Sequence, residues 1–411
     1  MARALLILFG GRSMPNMLTI IHEELALVVA LVSEDQKQHL TELRQSLELL
    51  FKGQTQKFQL DTSYTVNAFK LDEVYQTCKH VVETYSRADH PNYEWIFNVT
   101  AATKIMSLGA YKAATEFKDQ NKPIKCWYLD TFHASVIPLI GEARDSSIFH
   151  LTLEQYAAVY NCQIEPVVHK EQREYYQKEW LPFARYLAEH PHTIDVLKDF
   201  LEQMGGSPKE DASKTCPITP AVDETYAFLE AMHKAGLLES LQRKQNIISI
   251  KFTSMQYHFL NGAWLEVYVW DAAQQLGIFS DCQWSYKIPE EDKPKDNRNE
   301  LDVTLLYNDQ LILIECKTGE KDFYGSDTIY KIDSLATLLG GKFVTKIVIT
   351  SLPNPTFLPA LDNRVRGLQD KFADLTKRAK GSHVVIVTRE DLPHLGRILR
   401  KQAEDPDYSR S

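Results

Sequence analysis

Along the first third of the chain, short aliphatic runs alternate with stretches whose apolar residues recur at helical spacing. Ala4 to Phe9 and Leu27 to Val32 are unbroken apolar runs, the pattern of strands buried on both faces. Helical Glu34 to Leu50 then leads to a weaker strand at Phe58 to Leu60, a helix from Leu71 to Tyr85 and a strand at Tyr93 to Val99. A helix at Thr103 to Lys118 and a strand at Ile124 to Leu129 complete the series. Such alternation predicts an α/β fold with a parallel, doubly wound, Rossmann-like sheet built through right-handed crossovers. Its ligands would gather at the carboxyl ends of the strands.

Two loops lie at those ends. Gly10-Gly11-Arg12-Ser13-Met14-Pro15-Asn16 follows the first strand, and Asn98-Val99-Thr100-Ala101-Ala102-Thr103-Lys104 follows the fourth. In the common doubly wound orders these strands are neighbours, so both loops would border one crevice. Small and hydroxyl residues let backbone N–H groups approach a phosphate, and Lys104 adds charge near a helix N-terminus. Each loop alone reads first as an ordinary turn, with Thr103 as an N-cap; the two paired at one sheet edge favour ligand binding. Neither matches G-x-G-x-x-G or G-x-x-x-x-G-K-[ST], which argues against dinucleotide and nucleoside triphosphate enzymes.

The middle reads as connecting. Glu171 to Met204 has helical periodicity interrupted near Pro191, and Gly205 to Pro220, with Gly-Gly-Ser-Pro and two more prolines, reads as an exposed linker. A helix from Ala221 to Leu241 and a strand from Ile247 to Phe252 follow, compatible with a small winged-helix-like piece or a spacer.

The sharpest chemistry is C-terminal. Leu301 to Tyr307 and Leu311 to Cys316 are strand-like runs around Asn308-Asp309, residues that tolerate the positive φ of a tight hairpin turn. A two-residue loop there sets Asp302 directly opposite Glu315, with Cβ atoms about 4.5–5.5 Å apart. Two carboxylates so placed repel unless a cation lies between them. Lys317, two residues past Glu315, shares its face of the strand. Two carboxylates and the carbonyl of Cys316 are hard oxygen ligands suited to Mg²⁺ or Mn²⁺, and the lysine can neutralise developing negative charge. That equipment suits phosphodiester hydrolysis; the alternative is a hairpin carrying a Glu315 to Lys317 surface pair. Asp35-Gln36-Lys37, Glu116-Phe117-Lys118 and Glu291-Asp292-Lys293 share the spacing, but none ends an apolar strand opposite another acid. Glu266 lies in Gly262-Ala263-Trp264-Leu265-Glu266-Val267-Tyr268-Val269-Trp270, where helical spacing leaves almost no polar face. An enclosed carboxylate needs a partner, either a metal or Lys317, unless it meets a wet edge or a structural lysine.

The 411 residues exceed what one core holds, since single cores stop growing near ~250–300 residues. With 46 basic against 55 acidic residues the net charge is −9, so no global basic field recruits nucleic acid. Local basic stretches exist at Arg364, Arg366, Lys371, Lys377, Arg378 and Lys380, and at Lys287, Lys293, Lys295 and Arg298. Trp284 and Tyr286 could stack unpaired bases. No apolar stretch approaches the roughly 18 residues that span a bilayer. The six cysteines are scattered, without zinc spacing, as in a reducing, cytoplasmic setting.

Glu266, Asp302 and Glu315-x-Lys317 resemble the core of the PD-(D/E)XK nucleases, whose C-terminal domain is restriction-endonuclease-like. Together with the two N-terminal loops, Gly262-x-Trp264-Leu265-Glu266 resembles one branch of them, the CARF-domain nucleases of type III CRISPR defence. The resemblance implies a CARF ligand-sensing domain at 1–165, a helical connector at 166–255 and a nuclease domain at 256–411. It implies that Asp302 and Glu315 bind Mn²⁺ or Mg²⁺ with the Cys316 carbonyl, that Lys317 is catalytic, and that Glu266 supports the metal or its water. It further implies cyclic tetra-adenylate as allosteric activator, held by Gly10, Gly11, Arg12, Ser13, Asn16, Thr100, Thr103 and Lys104 across a homodimer. Single-stranded RNA and DNA are the implied substrates, with duplex DNA a further candidate. Tyr330-Lys331 resembles another family position. Ala101-Ala102 departs from the Gly-Gly frequent before Thr-Lys in such domains, and no proline precedes Asp302.

Two other readings stay open. Arg185-x4-His190 and Arg389-x4-His394 share the spacing of metal-independent HEPN-type ribonucleases that CARF domains also carry. A non-enzymatic, nucleotide-sensing DNA-binding regulator would use the hairpin only as structure.

Overall fold

Unbroken aliphatic runs become central strands here because both their faces are covered. In the computed structural model, which describes residues 1–10, 14–51, 58–87, 92–131, 133, 135–142, 150–208, 213–218, 223–289, 299–325, 327–359 and 363–406, the chain forms two compact units. One comprises Met1–Gln163 with Asn308–Gln310, the other Ile164–Tyr307 with Leu311–Ser411.

The first unit holds β1 (Ala2–Phe9), β2 (Leu27–Ser33), β3 (Gln59–Val66), β4 (Tyr93–Asn98), β5 (Ile124–Asp130) and β6 (Ser135–Ile140). Their order is β3-β2-β1-β4-β5-β6. All neighbours are parallel except β5 and β6. The doubly wound sheet read from the sequence is therefore present, and β1 and β4 are neighbours at the switch point. The antiparallel edge strand β6 was not legible, since Pro138 interrupts its pattern; an edge tolerates proline because one side of the strand needs no donor. Alternate strand positions such as Leu6, Leu8, Val29 and Leu31 are fully buried in its core.

The second unit holds β7 (Glu165–Pro166), β8 (Ser213–Ile218), β9 (Ser240–Lys244), β10 (Ile247–Thr253), β11 (Asp281–Lys287), β12 (Glu300–Tyr307), β13 (Gln310–Lys317), β14 (Thr345–Thr350) and β15 (Val384–Val387). A six-stranded sheet runs β15-β14-β13-β12-β11-β7, and a three-stranded one runs β8-β10-β9. One apolar cluster extends from Val168 to Ala403 and includes Tyr176, Trp180, Leu187, Phe200 and Phe252, so the described part of the stretch 166–255 shares a core with the rest of this unit.

Two sequence expectations need correction. The stretch 205–220, read as a linker, contains β8, which pairs antiparallel with β10. Cys216 and Ile218 are buried while Thr215 and Pro217 are exposed, a period-2 alternation masked by polar and proline-rich composition. The helix expected over 221–241 ends at Lys234, because Gly236 takes φ +74° and turns the chain into β9. No helix among the described residues is long and apolar enough to cross a membrane, and all six cysteines are free thiols.

Candidate active site and ligand crevice

The hairpin register follows from its turn. β12 and β13 are sheet neighbours joined by Asn308 and Asp309, whose φ values are 50° and 57°, as a two-residue hairpin of matching twist requires. Strand alternation then puts Glu300, Asp302, Glu315 and Lys317 on one face, with Asp302 opposite Glu315 and Glu300 opposite Lys317.

The side chains converge accordingly. Asp302 is 6% exposed and Glu315 2%. The Asp302 Oδ2 accepts from the Cys316 N–H at 2.7 Å. Lys331 donates to Glu315 Oε1 at 2.8 Å and lies 3.8 Å from Asp302 Oδ1, so one ammonium serves both carboxylates. Lys317 donates to the same Glu315 oxygen. The alternative of a surface ion pair is excluded by this burial. Lys331 lies on the helix Asp327–Leu338, and its part in the cluster is a packing fact that strand periodicity does not reveal.

Glu266 joins from the helix Trp264–Leu276. A π turn, Phe259–Ala263, leads into that helix; its extra residue per turn alters which face follows, a feature frequent at functional sites. Among the described residues none donates a hydrogen bond to Glu266. Burial, then Asp302, Glu300 and Glu315, hold its carboxyl well above the ordinary range, against the pull of Lys317. Burial and then Glu315 push Asp302 up to about 7, with Lys331, Lys317 and the Cys316 N–H acting the other way. Burial likewise raises Glu300, whose place two residues before Asp302 sets it on the same strand face. For Lys317, burial pulls its pKa down, but Glu315 and Asp302 outweigh it and the net shift is upward.

Glu300, Asp302, Glu315 and Lys317 on the strand face, met by Glu266 and Lys331 from two helices, set four acids against two lysines, of which Asp302 and Glu315 are the buried pair. Among the described residues no three His, Cys, Asp or Glu side chains group as a metal cage. The donors available are instead the Asp302 and Glu315 carboxylates that already converge on one cation, completed by a carbonyl and water. That set fits a hard divalent ion. If it binds one, the pH dependence is defined. Asp302 titrates at about 7 here against about 3.9 in an unfolded chain, so the folded state holds a proton that the unfolded state has released. Metal-free stability thus falls as pH rises from about 4 to about 7, and metal binding must displace that proton. Saturating Mn²⁺ should therefore raise the melting temperature more at pH 8 than at pH 5.5, which differential scanning fluorimetry measures; equal shifts at both would count against ligation by Asp302.

In the first unit, Gly10 N–H donates to Ala101 O at 3.0 Å, so the loops after β1 and β4 do meet. A Cβ at Gly10 would come 2.8 Å from Ala102 Cα, hence only glycine fits. Gly11, Arg12 and Ser13 lie outside the described residues. Asn16 is fully buried and donates to Leu8 O at 3.0 Å. The Thr100 hydroxyl accepts from Leu129 N–H at 2.7 Å. Thr103 caps the helix Lys104–Asp119, accepting from Met106 N–H and donating to Ala68 O at 2.7 Å. These three side chains hold the loops in shape, and Lys104 is exposed at the helix start. Asn98, not singled out from sequence, bonds Pro15 O, Thr19 and the Thr100 N–H, tying the loops together; a buried amide ending an apolar strand was the available signal.

The rival Arg/His pairs are otherwise engaged. Arg185 grips Asp271 bidentately, both contacts at 2.7 Å, and His190 bonds and stacks on Tyr186. Arg389 pairs with Asp195 at 2.7 Å.

The chain thus combines a doubly wound sheet, whose β1 and β4 loops meet at the switch point, with a second sheet bearing a carboxylate–lysine face. Residues 253–403, the region carrying Glu266, Asp302, Glu315 and Lys317, match the family model described as Card1-like, endonuclease domain. The whole chain is similar in fold to Can2 from Sulfobacillus thermosulfidooxidans, solved in complex with cyclic tetra-adenylate. The identity is 20%, coverage is 98% of this chain and 97% of that one, and the TM-score is 0.64. It is likewise similar to protein VC1899 from Vibrio cholerae, at 18% identity, 98% coverage of both chains and a TM-score of 0.70. No curated protein matches the chain in sequence. The endonuclease match and the shared fold stand behind the resemblance to CARF-domain nucleases of type III CRISPR defence.

Proposed function

We propose that the chain is a cyclic tetra-adenylate-activated, divalent-metal-dependent nuclease of type III CRISPR defence that cuts single-stranded RNA and DNA as a homodimer. The observation that carries this reading is the convergence of Asp302 and Glu315 on one cation beside Lys317, inside the region that matches an endonuclease family. Asp302, Glu315 and the Cys316 carbonyl would hold Mn²⁺ or Mg²⁺, which supplies Lewis-acid polarisation of the phosphodiester and an activated water. Lys317, kept protonated by Glu315, neutralises the negative charge that grows on the non-bridging oxygens. Glu266, poor in protein donors, orients the attacking water by accepting one of its protons in a hydrogen bond.

The sensing half rests on the crevice between the β1 and β4 loops, where Gly10 lets backbones approach and Lys104 brings charge. Gly11, Arg12 and Ser13 complete this assignment in sequence, with Asn16, Thr100 and Thr103 shaping the loops. The cyclic tetra-adenylate seen with Can2 matches such a phosphate-accepting crevice. Leu108, Tyr111, Tyr128, Ile137 and Leu139 are exposed apolar side chains of this unit, the kind of surface a second copy covers. A ring that binds one dimer arrangement better shifts the population toward it.

Adding cyclic tetra-adenylate should raise cleavage of labelled single strands by about 5–150-fold, the range of ordinary coupling energies. Equal cleavage with and without the ring would refute the sensing half.

A further inference from the structure

Beyond the carboxylate face, β13 leads into Thr318 and Gly319, which line a cavity of about 330 Å³. That volume lies within the roughly 300–1,000 Å³ of small-ligand sites. The same wall includes Ser351, whose N–H donates to Lys317 O at 3.1 Å. The cavity therefore adjoins the backbone that carries the catalytic lysine. Lys198 and Arg364 line it with two acids, Glu202 and Glu320, and with Asn261, and Trp264 gives an apolar wall.

Among the described residues, one of these groups lacks a hydrogen-bond partner and another lacks a close ion pair. Ser351 is 1% exposed, and its Oγ has no hydrogen-bond partner among the described residues. Lys198 is partly buried, and its ammonium forms no ion pair with any described residue; burial lowers its pKa although Asp195, Glu320 and Glu202 act the other way. Arg364 is exposed and only 3.6 Å from Glu320, a loose surface pair that an incoming phosphate can replace at little cost. A desolvated lysine beside a loosely paired arginine and an apolar wall suit a nucleotide, with a phosphate at Lys198 and a base or sugar edge at the exposed Asn261.

Resting on the nuclease reading above, we infer that this cavity is a subsite for the nucleotide next to the scissile phosphate. Lys198 engages that nucleotide's phosphate, and the site contributes to binding a single strand rather than to bond cleavage. The test is steady-state cleavage of a labelled single-stranded oligonucleotide by the full-length protein with Mn²⁺ and cyclic tetra-adenylate, at several salt concentrations. Lys198→Met, which keeps an unbranched apolar stem and removes the charge, should raise KM by about tenfold with kcat unchanged. It should also lower the slope of log KM against log salt by about 0.7, the value for losing one phosphate contact to a single strand. Lys198→Arg should restore both, which a merely structural role would not do, and melting temperatures of all three proteins verify folding. If wild type cuts and Lys198→Met matches it in KM and salt slope, the subsite is refuted while the nuclease reading survives. If wild type fails to cut under these conditions, the nuclease reading fails and the subsite with it.

Discussion

Lys317→Met should reduce kcat by at least about 10²–10³, the cost of removing a charge-stabilising group from a hydrolytic centre. Lys317 donates to Glu315 from the strand end, and β13 holds it on the same face as the acids. Because Lys331 also donates to Glu315 at 2.8 Å, the buried carboxylate keeps a partner in the variant. Folding and activator binding should therefore persist. Single-turnover cleavage with saturating Mn²⁺, compared with wild type, measures the loss; a variant within a few-fold of wild type would remove Lys317 from the chemistry.

Asp302→Asn should separate activity from stability. Wild-type Asp302 is buried beside Glu315 and is pushed up to about 7, so at pH 8 the metal-free protein carries two repelling carboxylates. The amide keeps an oxygen for the Cys316 N–H, which bonds Oδ2 at 2.7 Å, and abolishes that repulsion. Metal-free Asp302→Asn should melt higher than wild type at pH 8, by calorimetry, and should differ less at pH 5.5, where wild-type Asp302 is already protonated. Its Mn²⁺ binding and its cleavage should both disappear. Functional groups commonly cost stability in this way. A variant that melts lower at pH 8 and still binds Mn²⁺ would show that Asp302 serves structure only.

How much was legible depended on whether the information was local. The doubly wound sheet follows from runs such as Ala4 to Phe9, whose double-sided burial leaves an unbroken apolar signature. The Asp302–Glu315 juxtaposition follows from the two positive-φ residues Asn308 and Asp309, because a two-residue turn fixes every pair along the hairpin. Lys331 was legible as a position shared with a family but not as the partner of Glu315 and Asp302, and Glu300 was legible only through its strand spacing from Asp302. Lys331 comes from a helix more than a dozen residues downstream, and no strand or helix period links it to Glu315. β8 was hidden because Lys214, Thr215 and Pro217 outnumber the two buried residues that pin the strand. Thr100, Thr103 and Asn16 were legible as loop residues but not as the bonds that brace those loops, since their partners Leu129, Ala68 and Leu8 are set by topology.

The central claim is that the Asp302, Glu315 and Lys317 face hydrolyses phosphodiesters with a divalent ion. Cleavage of end-labelled single-stranded RNA and DNA by the wild-type protein with cyclic tetra-adenylate, in Mn²⁺ and in EDTA, tests it most directly. The account predicts cutting in Mn²⁺ that EDTA abolishes and re-added Mn²⁺ restores. Cutting that continues undiminished in EDTA would contradict it and move the chemistry away from the carboxylates.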